Sequence, residues 1–499
     1  MKTSVIVALF FLVAVTVFSS LARADDPMVV GKAALAKGDY IAAISAFREA
    51  IDKNSKNVEA FVLLGSALLK ADSVDQAVAV LVQGKDLDTS NAQFYALLGD
   101  AYAKQKIYPA AVDMYQRATQ MDGKNIDLYL KLGDNARKSR KYPDAVAAFE
   151  KALQIDSMNV TALAGAGNIY MRAKRFANAA QLYDRLYKVQ KDSINVEVNL
   201  AKCLFETRNY QQFIPIGEDI SGKDASQTEI QQMLAEAYSK TGQTDLTREK
   251  YSKLKVESLS IDDLLRYAKA LKAEDSIAHA LEVFDRAYQK DSTRCDIPYD
   301  YGTTYMRAKK YADAVAMFEK KIACDTSSGY RFASNLNAAG CLMQLKEFTA
   351  AKEHALKSLE YRPDNVYAYR TLAQACAQLE ASEEEIAAYK KLIDLVNNES
   401  ENADVTKYND AVGEAYKMIG IRYLIDKKYA EAADYLKKAV PYDPKNCQLL
   451  MWTGQAYQNS NRKEDAKKYY CKLIETCPKT KEAEDAQKYL DLLGLKCGE

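Results

Sequence analysis

Nine cysteines, two histidines and several Gly-Lys pairs are the residues of this 499-residue sequence whose types could do chemistry. Cysteines can join oxidatively, hold a soft metal or attack as thiolates. Zinc needs paired ligands at short spacing, and no Cys-x-x-Cys occurs. The Gly-Lys pairs at 31–32, 84–85, 123–124 and 222–223 lack the spacing and the following Ser or Thr of a phosphate-cradling loop. No Gly-x-Ser-x-Gly elbow exists to present a nucleophilic serine. His279 and His354 each precede alanine inside an amphipathic stretch and read as surface or packing residues. The run Glu383-Glu384-Glu385 reads as solvated helix positions. The residues therefore imply no enzyme, no cofactor and no metal site, and leave disulfide pairing as the chemistry to place.

Charge narrows the partners. With 69 Lys+Arg against 68 Asp+Glu, the chain lacks the basic excess that binds nucleic acid or anionic lipid by counterion release. At the N-terminus, Lys2 precedes an uncharged apolar run from Val5 to Phe18, followed by Ala22-Arg23-Ala24 and two aspartates. That order predicts a secretory signal peptide over residues 1–24; an uncleaved anchor is the rival, but a spanning helix wants about 20 apolar residues. No later stretch is apolar enough for an integral membrane span. Export would carry all nine cysteines into a compartment where disulfides persist. The compartment would be the periplasm or outer-membrane surface in a bacterium, and the secretory lumen or extracellular space otherwise.

The elements that must position these residues repeat every 34 residues. Glycines stand at Gly31, Gly65, Gly99, Gly133 and Gly167, and alanines at Ala43, Ala77, Ala111, Ala145 and Ala179. Each alanine is followed four residues later by a bulky side chain: Phe47, Leu81, Tyr115, Phe149 and Tyr183. Spacings of three, four and seven put these positions on one helix face. Each period thus holds two helices joined by a short polar turn. Glycine inside a helix costs about 1 kcal/mol relative to alanine, so its recurrence predicts a second helix pressed against the backbone there. Pro109 and Pro143 fall in the first turn of second helices, where a missing N–H does little harm.

This pattern resembles the tetratricopeptide-repeat family. Tyr95, Leu98-Gly99, Tyr102, Tyr108, Ala111, Tyr115 and Ala118 reproduce most of its signature in one unit. Tyr301-Gly302, Tyr305, Tyr311, Ala314 and Phe318 do so again downstream, as do Gly454, Tyr457, Ala466, Tyr470 and Pro478. The resemblance implies an all-α solenoid of about thirteen helix-turn-helix repeats winding into a superhelix. Regular repeats 1–5 would occupy residues 25–192, degenerate repeats 6 and 7 residues 193–260, repeats 8–11 residues 261–396, and repeats 12 and 13 residues 412–480. A capping helix and tail would follow at 481–499. Pro215 and Gly217 predict a broken turn at 213–229, either a hinge or a worn repeat. Residues 397–411 read as an insertion with an early helix start.

Within this frame Cys295 opens repeat nine and Cys324 ends it, while Cys447 and Cys477 take nearly the same places in repeat thirteen. An antiparallel hairpin brings those places to one end, so each pair could close its own hairpin. The alternative is that these cysteines only supply small apolar side chains. Cys471 and Cys497 are candidates to tie the cap to the last hairpin. Cys341 and Cys376 read as packed core thiols, and Cys203 has no evident partner.

The family binds partners along the inner wall made by its first helices. Carrying its offsets over names Asp100, Asp134, Arg137 and Asn168 in the regular half, and Tyr299, Thr303, Tyr367, Arg370 and Gln374 later. Their mixed polarity suits hydrogen bonding and aromatic contact with a peptide or protein surface; each could equally be a solvated groove residue. The family's clamp for a partner's C-terminal carboxylate is not reproduced, since Asn168 and Asn199 are followed by Glu229 and Met233. The sequence thus points to an exported, non-enzymatic scaffold with a protein or peptide in its concave groove, serving envelope assembly or secretion. Two other readings stand beside it: a ligand-binding or enzymatic protein using 213–229 or 397–411, and a self-assembling array.

Overall fold

The computed structural model describes residues 26–398 and 406–498. The leader expected at 1–24 lies outside the described residues, as do positions 399–405 of the expected insertion. Among the described residues there are 27 α-helices and no strands. Twenty-four of them pair into twelve antiparallel hairpins, Thr228–Lys240 and Thr244–Ser252 are the two helices of the remaining repeat, and Lys481–Leu493 follows as a single helix. The chain is an all-α repeat solenoid. It divides into two compact units, Met1–Thr241 and Gly242–Glu499, a coarser partition than the six segments read from the sequence.

Repeat four shows how residue types build a hairpin. Its helices are Ile126–Lys138 and Tyr142–Ile155, with Pro143 in the first turn of the second. Ala145, Ala148, Phe149 and Ala152 form the buried stripe of that second helix. The Phe149 ring lies flat against the first helix at Gly133, where an added methyl would sit 2.7 Å from Phe149 Cε1. The same contact recurs at Gly99 beneath Tyr115 and at Gly454 beneath Tyr470. The recurring glycine is therefore a seat for the partner helix's bulky side chain.

The turn inside each hairpin is equally regular. Arg140 has φ +62° and the N–H of Lys141 donates to the carbonyl of Ala136 at 2.9 Å, closing the first helix. Asp72, Lys106, Lys174 and Arg208 hold the same left-handed conformation in the first unit, and Asp275, Lys309, Lys346, Glu380, Lys427 and Asn461 in the second. Only Gly38 and Gly242 use glycine there. A side chain in that conformation costs about 1–2 kcal/mol, which the reversal's hydrogen bonds and the packing around it offset.

The expected break at 213–229 is not present. Tyr210–Lys223 is one helix with Pro215 inside it. Proline here removes the bond to the Gln211 carbonyl, but Pro215 and Gln211 are both exposed, so water can satisfy that oxygen. On the opposite side Phe213 and Ile220 are fully buried and hold the helix down. The irregularity falls instead on repeat seven, whose second helix is only Thr244–Ser252, with a 3₁₀ turn at Val256–Ser258. The extra residues after Cys324 enter a long first helix, Ser328–Leu345. Repeat twelve likewise starts early, with a 3₁₀ turn at Thr406–Tyr408 leading into Asn409–Ile425. Ala486 and Leu490 of the terminal helix are fully buried against the last hairpin, and Tyr489 stacks on Tyr470.

Candidate binding surface

Residues one position after the recurring glycine sit on the first helices, and Asp100, Asp134 and Asn168 are each held by a neighbouring side chain. Tyr115, seated on Gly99, donates its hydroxyl to Asp100 at 2.6 Å, and Lys131 of the next repeat reaches the same carboxylate at 3.0 Å. Burial, reinforced by Asp100, pushes the Tyr115 hydroxyl far above its ordinary pKa. Tyr183 repeats the arrangement two units on, donating to Asn168 Oδ1 at 2.9 Å; burial raises its pKa to about 12. Asp134 pairs with Arg137 and Lys138, each at 2.6 Å. Burial alone would raise the Asp134 carboxyl, yet Lys138 and Arg137 together hold it below its usual value.

Asp134, Arg137 and Asn168 come together. They line one cleft of about 510 Å³ between the first helices of repeats four and five, walled by Tyr142 and Phe149 and completed by Thr161 and Arg172. Asp100 lines a similar hollow of about 540 Å³ between repeats two and three, with Ser66, Lys70 and Lys104.

In the second unit the predicted positions are more occupied by their own chain. Thr303 accepts from Lys272 at 2.7 Å, and Lys272 also pairs with Asp300. Tyr299 packs edge-on against Tyr330, with ring centroids 5.2 Å apart. Arg370 Nε and Gln374 Nε2 both donate to Glu414, at 2.8 and 2.7 Å, and the Tyr389 hydroxyl joins them at 3.3 Å. Tyr367 stays nearly half exposed beside Tyr408. Sequence reasoning passed over Glu414, Thr161 and Arg172. Glu414 and Thr161 stand at the offset that named Tyr367, so the same rule applied to every repeat would have found both.

The cysteines form three disulfides. Cys295–Cys324, Cys447–Cys477 and Cys471–Cys497 join with Cα separations of 5.7, 6.2 and 5.5 Å. The first two close hairpins nine and thirteen, and the third binds the tail to the last second helix. Cys203, Cys341 and Cys376 are buried thiols, and burial raises the first two to about 12 and about 11. His279 meets Tyr267 edge-on, while His354 Nδ1 lies 2.8 Å from Asn335 Oδ1 with its pKa lowered by burial. The segment once expected to be irregular contributes Pro215 and Ile216 to a hollow shared with Ala177, Ala180 and Leu204. Among the described residues, no cluster of three or more His, Cys, Asp and Glu is arranged to hold a metal, and no helix is long and apolar enough to cross a membrane.

Tetratricopeptide-repeat family models match residues 34–101, 130–193, 336–400 and 448–480. A comparison with curated proteins finds no match. Among solved structures, the C-terminal part of a TPR repeat-containing protein from Cytophaga hutchinsonii is 23% identical, covering 50% of this chain and 97% of that one with a TM-score of 0.40. YrrB, described as a TPR protein with an unusual peptide-binding site, is 18% identical over 42% of this chain and 99% of its own, with a TM-score of 0.34. The Naa15/Naa10 complex bound to HypK-THB matches at 13% identity over 95% of this chain and 96% of that one, with a TM-score of 0.40. The repeat matches reach from the first hairpin to the last: the chain is a tetratricopeptide-repeat protein.

Proposed function

We propose that this chain is an exported interaction scaffold, working without catalysis, that holds a peptide or protein segment along the face made by its first helices. The observation that carries the reading is the row Asp100, Asp134 and Asn168, spaced by one repeat and kept at the surface while the residues around it are buried. A hairpin array that consumes its apolar residues in internal packing offers a partner an extended polar wall instead of a closed pocket. Export is supported by the leader-like first 24 residues and by three disulfides, which persist in oxidising compartments. Envelope assembly or secretion is the role that fits such a scaffold.

The test places a photo-crosslinking amino acid at Thr161 on the first-helix face, and at Lys151 on a second helix as control, in the intact chain expressed in its native host. Adducts with a discrete polypeptide at Thr161 and none at Lys151 are expected. Equal labelling at both positions, or none at Thr161, Asn168 and Gln374 alike, would overturn the reading.

A further inference from the structure

The cleft between the first helices of repeats four and five is rich in unused donors. Arg172 lies over the Tyr142 ring at 5.8 Å, and no carboxylate pairs with it among the described residues. Arg137 shares Asp134 with Lys138, so that carboxylate serves two cations. Tyr183 donates to Asn168 Oδ1, which fixes the amide with its oxygen engaged and its Nδ2 hydrogens left to donate. Thr161 adds an exposed hydroxyl at the rim. The lining therefore holds two guanidinium groups against one acid, together with two neutral donors, in about 510 Å³ bounded by the Tyr142 and Phe149 rings. The Tyr142 ring face attracts the Arg172 guanidinium to the cleft wall before any partner arrives, and a planar guanidinium is matched to a carboxylate.

Resting on the scaffold reading above, we infer that this cleft takes an acidic side chain, Glu or Asp, from an extended partner segment. The carboxylate would lie between Arg172 and Arg137 with Asn168 donating to it, and the side-chain methylenes against the aromatic wall. The volume admits a whole side chain and part of its neighbour. The residues needed to grip a chain-terminal carboxylate are not reproduced here, as Glu229 and Met233 show, so a side chain is the source assigned.

The probe is a fluorescently labelled, N-acetylated and C-amidated peptide of alternating alanine and glutamate, titrated against the full chain by anisotropy at low salt. Binding is expected for this peptide and not for its glutamine counterpart. Arg172→Gln and Arg137→Gln should each weaken binding at least about tenfold, Arg172→Lys should weaken it less, and Lys151→Gln should leave it unchanged; unaltered circular dichroism shows that each variant is folded. Equal binding of the glutamine peptide, or wild-type affinity in a folded Arg172→Gln protein, would overturn the inference. So would tight binding of the glutamine peptide once its C-terminus is freed, which would make the cleft a reader of chain ends. Adducts at Thr161 without glutamate-dependent binding would end this inference and leave the scaffold reading intact. Glutamate-dependent binding without adducts would do the reverse.

Discussion

Residues 26–241 and 242–498 are built from the same hairpin by different means. The first unit keeps the period: its glycines at 31, 65, 99, 133 and 167 each seat a bulky side chain from the second helix, and its only cysteine is the buried thiol Cys203. The second unit changes its period between repeats nine and ten and again before repeat twelve, and it holds all three disulfides. Two of those bonds sit in the terminal hairpin, which has a repeat on one side only. The other closes the hairpin just before the long helix Ser328–Leu345. Stability in a repeat array is close to a sum of unit and neighbour-interface contributions. Where an interface is interrupted or missing, a covalent bond inside the unit can supply what the neighbour does not.

The largest expected effect falls on the second unit's polar core. Glu385 is 1% exposed and its carboxylate meets Arg422 Nη2 at 2.5 Å. Burial pushes the Glu385 carboxyl up, and Arg422 only partly restores it. Arg422→Met should cost about 3–5 kcal/mol by leaving that charge buried without a partner. A carboxyl with a raised folded pKa loses stability as pH climbs from its unfolded value of 4.5 through its folded one. The deficit should therefore be greatest at neutral pH and shrink on acidification, as read by denaturant titration at several pH values. In the first unit Glu197 is as deeply buried, but its partner Lys223 is 41% exposed, so Lys223→Met should cost less. The reverse order would break the comparison.

Next comes the covalent contribution. Replacing Cys447 and Cys477 together by serine opens a loop of about 30 residues and should cost roughly 2–4 kcal/mol. Hydrogen exchange should show the loss in residues 447–493 and leave repeats two to five protected. Equal deprotection of both units would mean that the bond does not act locally.

A smaller effect tests the first unit's own device. Gly133→Ala should cost about 1–3 kcal/mol by overpacking against Phe149, although alanine is the better helix former by about 1 kcal/mol. A gain in thermal stability would show that the ring is not seated as described.

Most of the hairpin frame could be read from the sequence, because alternation of small and bulky residues at helical spacing is itself the packing instruction. Ala145 and Phe149 are legible as core, and Gly133 as their seat, without coordinates. Hairpin disulfides were legible for the same reason, since a frame that places Cys295 and Cys324 at one end of a hairpin also places them together. Pro215 misled because a proline's cost in a helix depends on whether the freed carbonyl faces water, which residue type does not disclose. The Arg370–Glu414 contact was not legible for another reason: offsets place both residues on first-helix faces, 44 apart, but do not say that their side chains meet. The donor cleft of repeats four and five was half legible. Offsets named Asp134, Arg137 and Asn168, but the availability of Arg172 depends on which acids reach it.

The last four half-cystines carry an order problem. Along the polypeptide they run Cys447, Cys471, Cys477 and Cys497, yet the native bonds join first to third and second to fourth. A thiol that seized the next one along the chain would weld Cys447 to Cys471, a linkage absent from the finished protein. Correct closure must therefore wait until the helix Lys463–Thr476 has coiled and docked, or be recovered by thiol–disulfide exchange. The crossing of these two loops thus makes local folding of the tail a condition for its correct bonding.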